Sequence, residues 1–106
     1  MENVRVVNVT IPMEKADEMG RAIVEKRMAA CVNIIPGLSS YYWSGNQIKA
    51  AAEAMLVIKT TPAKLDELVA FVKEHHPYDV PELITIPIAE GSPDYVSWVI
   101  DEMGKK

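Results

Sequence analysis

Hydrophobic and polar positions recur with two different periods along this chain, and these periods distinguish predicted strands from predicted helices. Val4 to Ile11 is rich in β-branched residues with apolar side chains on both faces, which predicts a central strand covered on both sides. From Met13 to Met28, apolar residues recur at intervals of three and four, which predicts a helix. Gly20 lies on the apolar stripe of this helix, so we expect the helix to approach a sheet closely there.

The middle of the chain reads as a long β-hairpin. Ala29 to Tyr42 alternates as a strand does, and Pro36-Gly37 inside it predicts a bulge or bend. Ser44-Gly45-Asn46 is a turn signal, and Gln47 to Thr60 is the predicted partner strand. Within that partner, Lys49 to Ala54 is rich in helix formers, so pairing has to override local preference.

A second helix is predicted after the hairpin. Thr61-Pro62 is typical of a helix start, with Thr61 as the N-cap and proline at the first helical position. The predicted helix stops at Pro77. Its apolar stripe comprises Leu65, Leu68, Val69, Val72 and His76.

The remaining elements complete a known order. Leu83 to Ala89 predicts a last strand, and Pro87 places it at an edge or a bulge. Ser92-Pro93 opens a final helix that ends near Met103. The chain is therefore predicted to be one α+β domain over residues 1–106, a ferredoxin-like βαββαβ sandwich with a long β2–β3 hairpin and an extra C-terminal helix. Helices would cover one sheet face, and the apolar residues of the other face predict an oligomer.

Composition and charge exclude several classes of protein. The chain of 106 residues has 11 basic and 15 acidic residues and a net charge of -4, and its longest basic cluster is Lys105-Lys106, which argues against nucleic-acid binding. No apolar run is long enough for a bilayer, and Met1 to Val9 lacks the features of a signal peptide, so we expect a cytoplasmic protein without a membrane partner. The single cysteine, Cys31, lies in an apolar alternating segment and is predicted to be a small buried hydrophobe.

Candidate chemistry is concentrated between His75 and Glu82. This segment carries two imidazoles, a phenol and two carboxylates beside Pro77 and Pro81, which stiffen the backbone. Such a segment is typical of a binding site, although two histidines at a helix end also complement the helix dipole. No set of nucleophile, base and orienting group and no phosphate-cradling glycine loop is recognisable, so an enzyme is the least favoured class.

Six short motifs, in order, resemble the CutA family of divalent-cation tolerance proteins over nearly the whole chain. The motifs are Val9-Thr10-Ile11-Pro12, Ala29-Ala30-Cys31-Val32-Asn33, Tyr41-Tyr42-Trp43-Ser44-Gly45, Ile58-Lys59-Thr60, the segment from His75 to Glu82, and Tyr95-Val96-Ser97-Trp98. The resemblance implies a compact homotrimer, similar in shape to PII signalling proteins, with a role in metal tolerance and no established reaction.

The resemblance also implies a metal site, with a change in its ligands. His75, His76 and Glu82 are the implied ligands, for Cu²⁺ or another divalent cation such as Zn²⁺. In some family members a cysteine on the first strand completes a copper site, and Val9 stands at that place here. Loss of a soft thiolate weakens the expectation of copper(I). Adjacent histidines on a helix diverge by roughly 100°, so sharing one ion requires an unwound last turn or a second subunit.

An intersubunit cleft is the second implied site. Trp43, Lys59, Tyr78 and Glu82 are expected around it, with His76 nearby and with Lys59 able to pair with Glu82. The same groups could bind a small anionic effector between subunits, as in a PII-like sensor, or could only hold the trimer together as a structural module.

The hairpin and the last helix carry two further expectations. Around Trp43 the hairpin is one residue longer than the family pattern, and Lys49-Ala50-Ala51-Ala52 stands where acidic residues are usual, so any metal affinity that depends on hairpin carboxylates is weakened. Tyr95 and Trp98 lie on the apolar stripe of the last helix and are predicted to be core or interface residues.

Overall fold

The computed structural model describes residues 3–106. Residues 1 and 2, which belong to the predicted domain and to the segment from Met1 to Val9, lie outside the described residues. The strands are β1 (Arg5–Pro12), β2 (Cys31–Ser44), β3 (Gln47–Thr60) and β4 (Leu83–Pro87), and the helices are α1 (Met13–Glu25), α2 (Leu65–His75) and α3 (Pro93–Met103). No helix within the described range is both long and apolar enough to cross a membrane.

The four strands form one antiparallel sheet in the order β2-β3-β1-β4. Strands β1 and β2 run in the same direction on either side of β3, which is the arrangement that α1 bridges in a ferredoxin-like fold. The predicted α+β class, the long hairpin and the extra C-terminal helix are therefore confirmed. Pro87 is the last residue of β4, an edge strand, as its lack of an N–H group requires.

Helices α1 and α2 cover one face of the sheet and bury the main core. Val7, Val9 and Ile11 of β1 are fully buried beneath them. A Cβ atom at Gly20 would lie 3.2 Å from Cγ1 of Val32 on β2, so the helix packs where only glycine fits without adjustment. The close approach predicted for Gly20 is confirmed.

The first helix ends three residues before the predicted Met28. The chain turns at Arg27, whose φ of 58° is left-handed, and the Met28 N–H donates to the Ile23 carbonyl at 3.1 Å. This is the Schellman ending of a helix, with an arginine where glycine is usual, at a cost of roughly 1–2 kcal/mol. Nη1 of Arg27 is 3.1 Å from Oε2 of Glu102, so the turn is joined to α3.

The hairpin has the predicted bulge and turn. The pairing register shifts between Ile35 and Leu38, where Gly37 has a φ of 74°. Gly45, with a φ of 61°, occupies the first central position of the two-residue turn. Residues 49–54 are strand throughout, because each of them pairs with β2 or β1. The cross-strand hydrogen bonds therefore override the helix propensity of the alanines.

The start of the second helix differs from the prediction. Thr61 makes no side-chain capping hydrogen bond, and Pro62–Lys64 forms a short 3-10 turn before α2 begins at Leu65. Proline at the first position is compatible with this tighter turn, since its missing N–H has no partner to lose there. Thr61 therefore has the predicted N-cap position, with Pro62 after it, but it caps a 3-10 turn and its side chain makes no capping hydrogen bond.

The last helix packs at one end of the sheet and forms a second small core. Val96, Val99 and Met103 are buried there together with Val4. Tyr95 and Trp98 lie off this buried stripe and are each 43% exposed, so of the two predicted roles, core or interface, the core is excluded within one chain and the interface stays a prediction.

The other face of the sheet is open within one chain. Ile35, Ile84 and Ile86 expose their side chains on it, so the prediction that β1 is covered on both sides is not met by a single subunit. At its centre, the side-chain oxygen Oδ1 of Asn8 is buried and has no hydrogen-bond partner among the described residues. An apolar face around an unsatisfied acceptor is unusual for a surface that remains in water.

Candidate functional site

The segment from His75 to Glu82 changes direction at its second residue. His75 is the last residue of α2, and His76 has an extended backbone with φ of -77° and ψ of 139°. The cause is Pro77, which disfavours helical geometry in the residue before it. The chain then leaves the helical layer and crosses the end of the sheet. The two adjacent imidazoles therefore point into different surroundings.

The imidazole of His76 lies inside the protein, where it is 7% exposed. Its Nε2 lies 2.8 Å from the Thr10 carbonyl, and its Nδ1 lies 3.1 Å from the backbone N–H of Tyr78. A carbonyl only accepts and an N–H only donates, so the ring is neutral with its proton on Nε2. Both nitrogens are occupied, and the ring fastens the α2–β4 connection to β1.

The imidazole of His75 is exposed and stacks on Phe71, with ring centroids 4.3 Å apart. Its Nδ1 lies 3.0 Å from the Phe71 carbonyl, to which it donates, and no described residue bonds to its Nε2. Metal-binding histidines commonly have this arrangement, with one nitrogen donating to a carbonyl and the other free as a ligand. Glu67 and Glu74 line the same shallow depression as His75.

Tyr78 and Glu53 form a hydrogen bond across the end of the sheet. The Tyr78 hydroxyl donates to Oε2 of Glu53 at 3.0 Å, and Glu53 is only 5% exposed. Desolvation of the phenol raises the pKa of Tyr78, and the hydrogen bond to Glu53 raises it further. Sequence reasoning missed Glu53. The sequence does contain a signal for this residue: Glu53 is the one acidic residue in the alanine-rich part of β3, where strand alternation places it on a defined face of the sheet.

These two residues lie in a cleft of about 540 Å³ on the open side of the sheet. The lining groups are three carboxylates, three phenols, three hydroxyls and one valine. They belong to Glu53, Asp79, Glu82, Tyr41, Tyr42, Tyr78, Thr10, Ser40, Ser44 and Val80. A cleft of this size is large enough for a small organic molecule. None of the described lining residues is a lysine, arginine or histidine.

The structure brings together only part of the predicted cleft. Tyr78 and Glu82 line it, whereas Trp43 stands beside the hairpin turn and is 72% exposed. Lys59 donates a hydrogen bond to Asn33 and pairs across the strands with Val6. That position is four residues along β1 from the level of Glu82, or roughly 13 Å. Lys59 and Glu82 therefore do not meet within one chain.

The predicted metal ligands are likewise separate within one chain. His75 is on the outer surface of the helical layer, His76 is inside and bonded at both nitrogens, and Glu82 lines the cleft. Val9 is fully buried in the core. Across residues 3–106, no group of three or more His, Cys, Asp or Glu side chains is arranged to hold a metal ion.

Cys31 is half-buried on the open side of the sheet, so the prediction that it is a buried hydrophobe is wrong. Its Sγ is 3.6 Å from Oδ1 of Asn33, the atom that also accepts from Lys59. Desolvation raises the pKa of Tyr95, and its electrostatic interaction with the nearby Cys31 raises it further. The thiol therefore belongs to a polar network beside α3.

The fold and the cleft define a class of protein: a small ferredoxin-like chain with a long hairpin, an open sheet face and a carboxylate-lined cleft. Residues 5–102 match the family model described as CutA1 divalent ion tolerance protein. The chain belongs to this CutA1 family, and the resemblance found from the sequence motifs is confirmed.

Individual relatives support the same assignment. The chain is 45% identical over 101 residues to the divalent-cation tolerance protein CutA of Thermus thermophilus, covering 93% of this chain and 97% of that one. It is 47% identical to Protein CutA of Mus musculus over 86% of this chain, and it spans about half of that longer relative, 52%.

Solved structures agree as well. The divalent cation tolerance protein (Cut A1) of Thermus thermophilus superposes with a TM-score of 0.88 at 43% identity, covering 91% of this chain and 94% of that chain. CutA1 of Oryza sativa gives 0.91 at 40% identity, with coverages of 94% and 93%. A structure described as the periplasmic divalent cation tolerance protein CutA of Archaeoglobus fulgidus gives 0.89 at 33% identity, with coverages of 94% and 98%.

Proposed function

We propose that residues 1–106 form one domain of a non-catalytic homotrimer that binds divalent cations of the copper or zinc class, with His75 as the principal ligand. The observation that carries this proposal is the orientation of the His75 ring. Its Nδ1 is held by the Phe71 carbonyl, so its Nε2 is presented to solvent as a free ligand. Imidazole suits copper and zinc ions.

The other implied ligands make different contributions to this proposal. His76 would have to give up two hydrogen bonds inside the protein before it could bind a metal ion. Glu82 is separated from His75 and would reach the ion only from another subunit. Glu67 and Glu74 lie closer to His75 and offer carboxylate oxygens. A single imidazole with such help gives weak binding, which suits a buffering role in cation tolerance.

The homotrimer is supported by the open face of the sheet. A neighbouring subunit would cover the exposed isoleucines and could supply a donor to the unpaired Oδ1 of Asn8. The exposed Trp43 at the end of the hairpin could pack on a neighbour in the same assembly. Sedimentation or light scattering that gives a monomer mass at micromolar concentration would contradict this part of the proposal.

The two alternative functions receive less support from the geometry. Within one chain, an anionic effector would meet the carboxylates of the cleft without a cation, because Lys59 is bonded to Asn33 at the other end of the sheet, so the lysine would have to come from another subunit. A purely structural module would leave the free His75 nitrogen without a role. Both alternatives predict that divalent cations do not bind stoichiometrically.

Native mass spectrometry of metal-stripped protein, titrated with Cu²⁺ and Zn²⁺, tests the proposal. We expect a trimer that takes up about one ion per subunit near micromolar metal, a regime of about 8 kcal/mol of binding free energy. His75→Ala should abolish this uptake, as should the His75→Ala, His76→Ala double variant. Lys73→Ala, an exposed change on the same helix, is the control. Full uptake by His75→Ala would refute the assignment of the ligand.

We also propose a cytoplasmic location, although one relative is described as periplasmic. Fractionation of cells that express the full natural chain tests this. Release of the protein with the periplasmic fraction, rather than with a cytoplasmic marker enzyme, would overturn the proposal.

A further inference from the structure

The groove between α1 and α2 holds a second depression beside His75, which we call the interhelix depression and which is smaller than the one lined by Glu67 and Glu74. Its volume is about 80 Å³, and the buried side chains of Ile11 and Met19 line it. His75 lines both depressions, so its ring stands between them. The interhelix depression has room for a partly hydrated ion but not for a large organic ligand.

The charged residues of the interhelix depression come from one stripe of α1. Lys15, Glu18 and Ala22 are spaced by three and four residues, so their side chains share the face of α1 that meets α2. Lys15 and Glu18 line the depression together with His75. No residue in the described range 3–106 forms a hydrogen bond or an ion pair with the Glu18 carboxylate. This carboxylate is therefore free to bind a cation beside the imidazole.

The other two carboxylates near His75 are less well placed to share an ion with it, because they belong to the same helix. Glu74 is the adjacent residue and projects roughly 100° away around the axis of α2. Glu67 lies more than two helical turns before His75, roughly 12 Å along the same axis. Glu18 faces the groove from α1, so neither of these limits applies to it.

We propose that Glu18 is the second ligand of the divalent cation proposed at His75, and that Lys15 competes with the cation for the Glu18 carboxylate. This inference rests on the proposed function, to which it adds a ligand from α1 and a residue that limits the affinity. One imidazole nitrogen and one carboxylate oxygen favour Zn²⁺ or Cu²⁺ over Mg²⁺, which prefers oxygen ligands alone. The buried walls of Ile11 and Met19 exclude water on one side and so strengthen both the attraction and the competition.

Isothermal titration calorimetry of Zn²⁺ into the metal-free, assembled protein tests the inference through two changes of opposite sign. Glu18→Gln should weaken Zn²⁺ binding at least about fivefold, and Lys15→Gln should tighten it about threefold. Both residues are exposed, so neither substitution should disturb folding. The matched controls are Asp17→Asn, on another side of α1, and Lys73→Gln, roughly opposite His75 on α2. Each control should change the affinity by less than about twofold, because charges outside the depression are screened by solvent.

The outcomes separate this inference from the function on which it rests. If His75→Ala abolishes Zn²⁺ binding while Glu18→Gln binds as the wild type does, the cation site stands and the inference is overturned. It is also overturned if Glu67→Gln or Glu74→Gln weakens binding more than Glu18→Gln does. Failure of Lys15→Gln to tighten binding would overturn the role given to that lysine. Mg²⁺ at equal concentration should leave Zn²⁺ binding unchanged, and competition by Mg²⁺ would contradict the ligand pair. A wild type that binds no Zn²⁺ overturns both proposals.

Discussion

His75 and His76 are neighbours in the sequence and opposites in the structure. The first has an exposed ring at the end of α2, with one nitrogen held by a carbonyl and the other free. The second has a buried ring whose two nitrogens join β1 to the connection before β4. Pro77 forces the backbone to change direction at His76. As a result, the His75 ring lies on the surface, and the His76 ring lies inside the protein, where it connects two segments of the chain.

This difference explains why a cluster of residue types is a weak guide to a site. The sequence placed two potential ligands side by side, and the geometry leaves only one of them available within one chain. Whether His75 binds metal stays a proposal, but the separation of the two rings is a property of the fold. Substitutions and spectroscopy can test that separation directly.

Loss of the buried ring should have the largest effect. His76→Ala leaves a cavity and removes the partners of the Thr10 carbonyl and the Tyr78 N–H. We expect the free energy of unfolding to fall by about 3 kcal/mol, measured by chemical denaturation. A decrease in the free energy of unfolding of less than about 1 kcal/mol would show that the His76 ring does not hold the α2–β4 connection against β1.

Tyr78→Phe should have the next largest effect, because it removes the only hydrogen bond that residues 3–106 make to the buried Glu53 carboxylate. We expect a loss of about 1.5 kcal/mol in the free energy of unfolding at neutral pH. Tyr41→Phe, on a phenol without a described hydrogen bond, is the matched control. Equal stability of the Tyr78→Phe protein and the wild type would contradict the role given to this hydrogen bond.

The same phenol predicts an alkaline dependence of stability. Desolvation and the hydrogen bond to Glu53 raise the pKa of Tyr78 in the folded state above its ordinary value of 10.0. A raised pKa contributes stability that is present below the unfolded pKa and is lost as the pH rises through the folded one. The wild type should therefore lose more stability above pH 10 than Tyr78→Phe does. The pKa of Tyr95 is raised in both proteins and cancels in the comparison.

His75→Ala should change stability least among these variants. The ring is exposed, and the substitution removes only its stacking on Phe71 and one surface hydrogen bond. We expect a change within about 0.5 kcal/mol of the wild type by the same denaturation measurement. If His75→Ala and His76→Ala destabilise the protein equally, the distinction between the two rings is wrong.

The most delicate test changes no residue. In the neutral rings, His75 should carry its proton on Nδ1 and His76 on Nε2, since each of these atoms faces a carbonyl. Long-range ¹H–¹⁵N correlation spectra at a pH where both rings are neutral distinguish these tautomers. Identical tautomers for the two rings would contradict the hydrogen bonds described.

Periodicity and turn chemistry were sufficient to predict most of this fold. The stripe around Gly20, the bulge at Pro36-Gly37 and the turn at Gly45 followed from local rules, and each is confirmed. The errors lie at the helix ends. Arg27 has a left-handed backbone conformation, which is rare for arginine and could not be predicted from the residue type. Thr61 is followed by a 3-10 turn and not directly by an α-helix.

The candidate site was less predictable, because its parts come from distant segments. Tyr78 and Glu82 were found in a conspicuous motif, but Glu53 lies among alanines and acquires its meaning only from burial. Within one chain, the register of β1 with its neighbours places Lys59 and Glu82 at opposite ends of the sheet, so their pairing across an intersubunit cleft stays a prediction. Sequence patterns predict which face a residue occupies, whereas its position along a sheet requires the pairing.

The alanine-rich start of β3 has a consequence for how the protein reaches its structure. Residues 49–54 favour a helix locally but are held as strand by their neighbours. In the unfolded ensemble this stretch should therefore sample transient helical turns, which must dissolve before the hairpin can close. We therefore expect hairpin closure to limit the rate of folding, so replacing exposed Ala50 and Ala52 by threonine should speed refolding more than it slows unfolding.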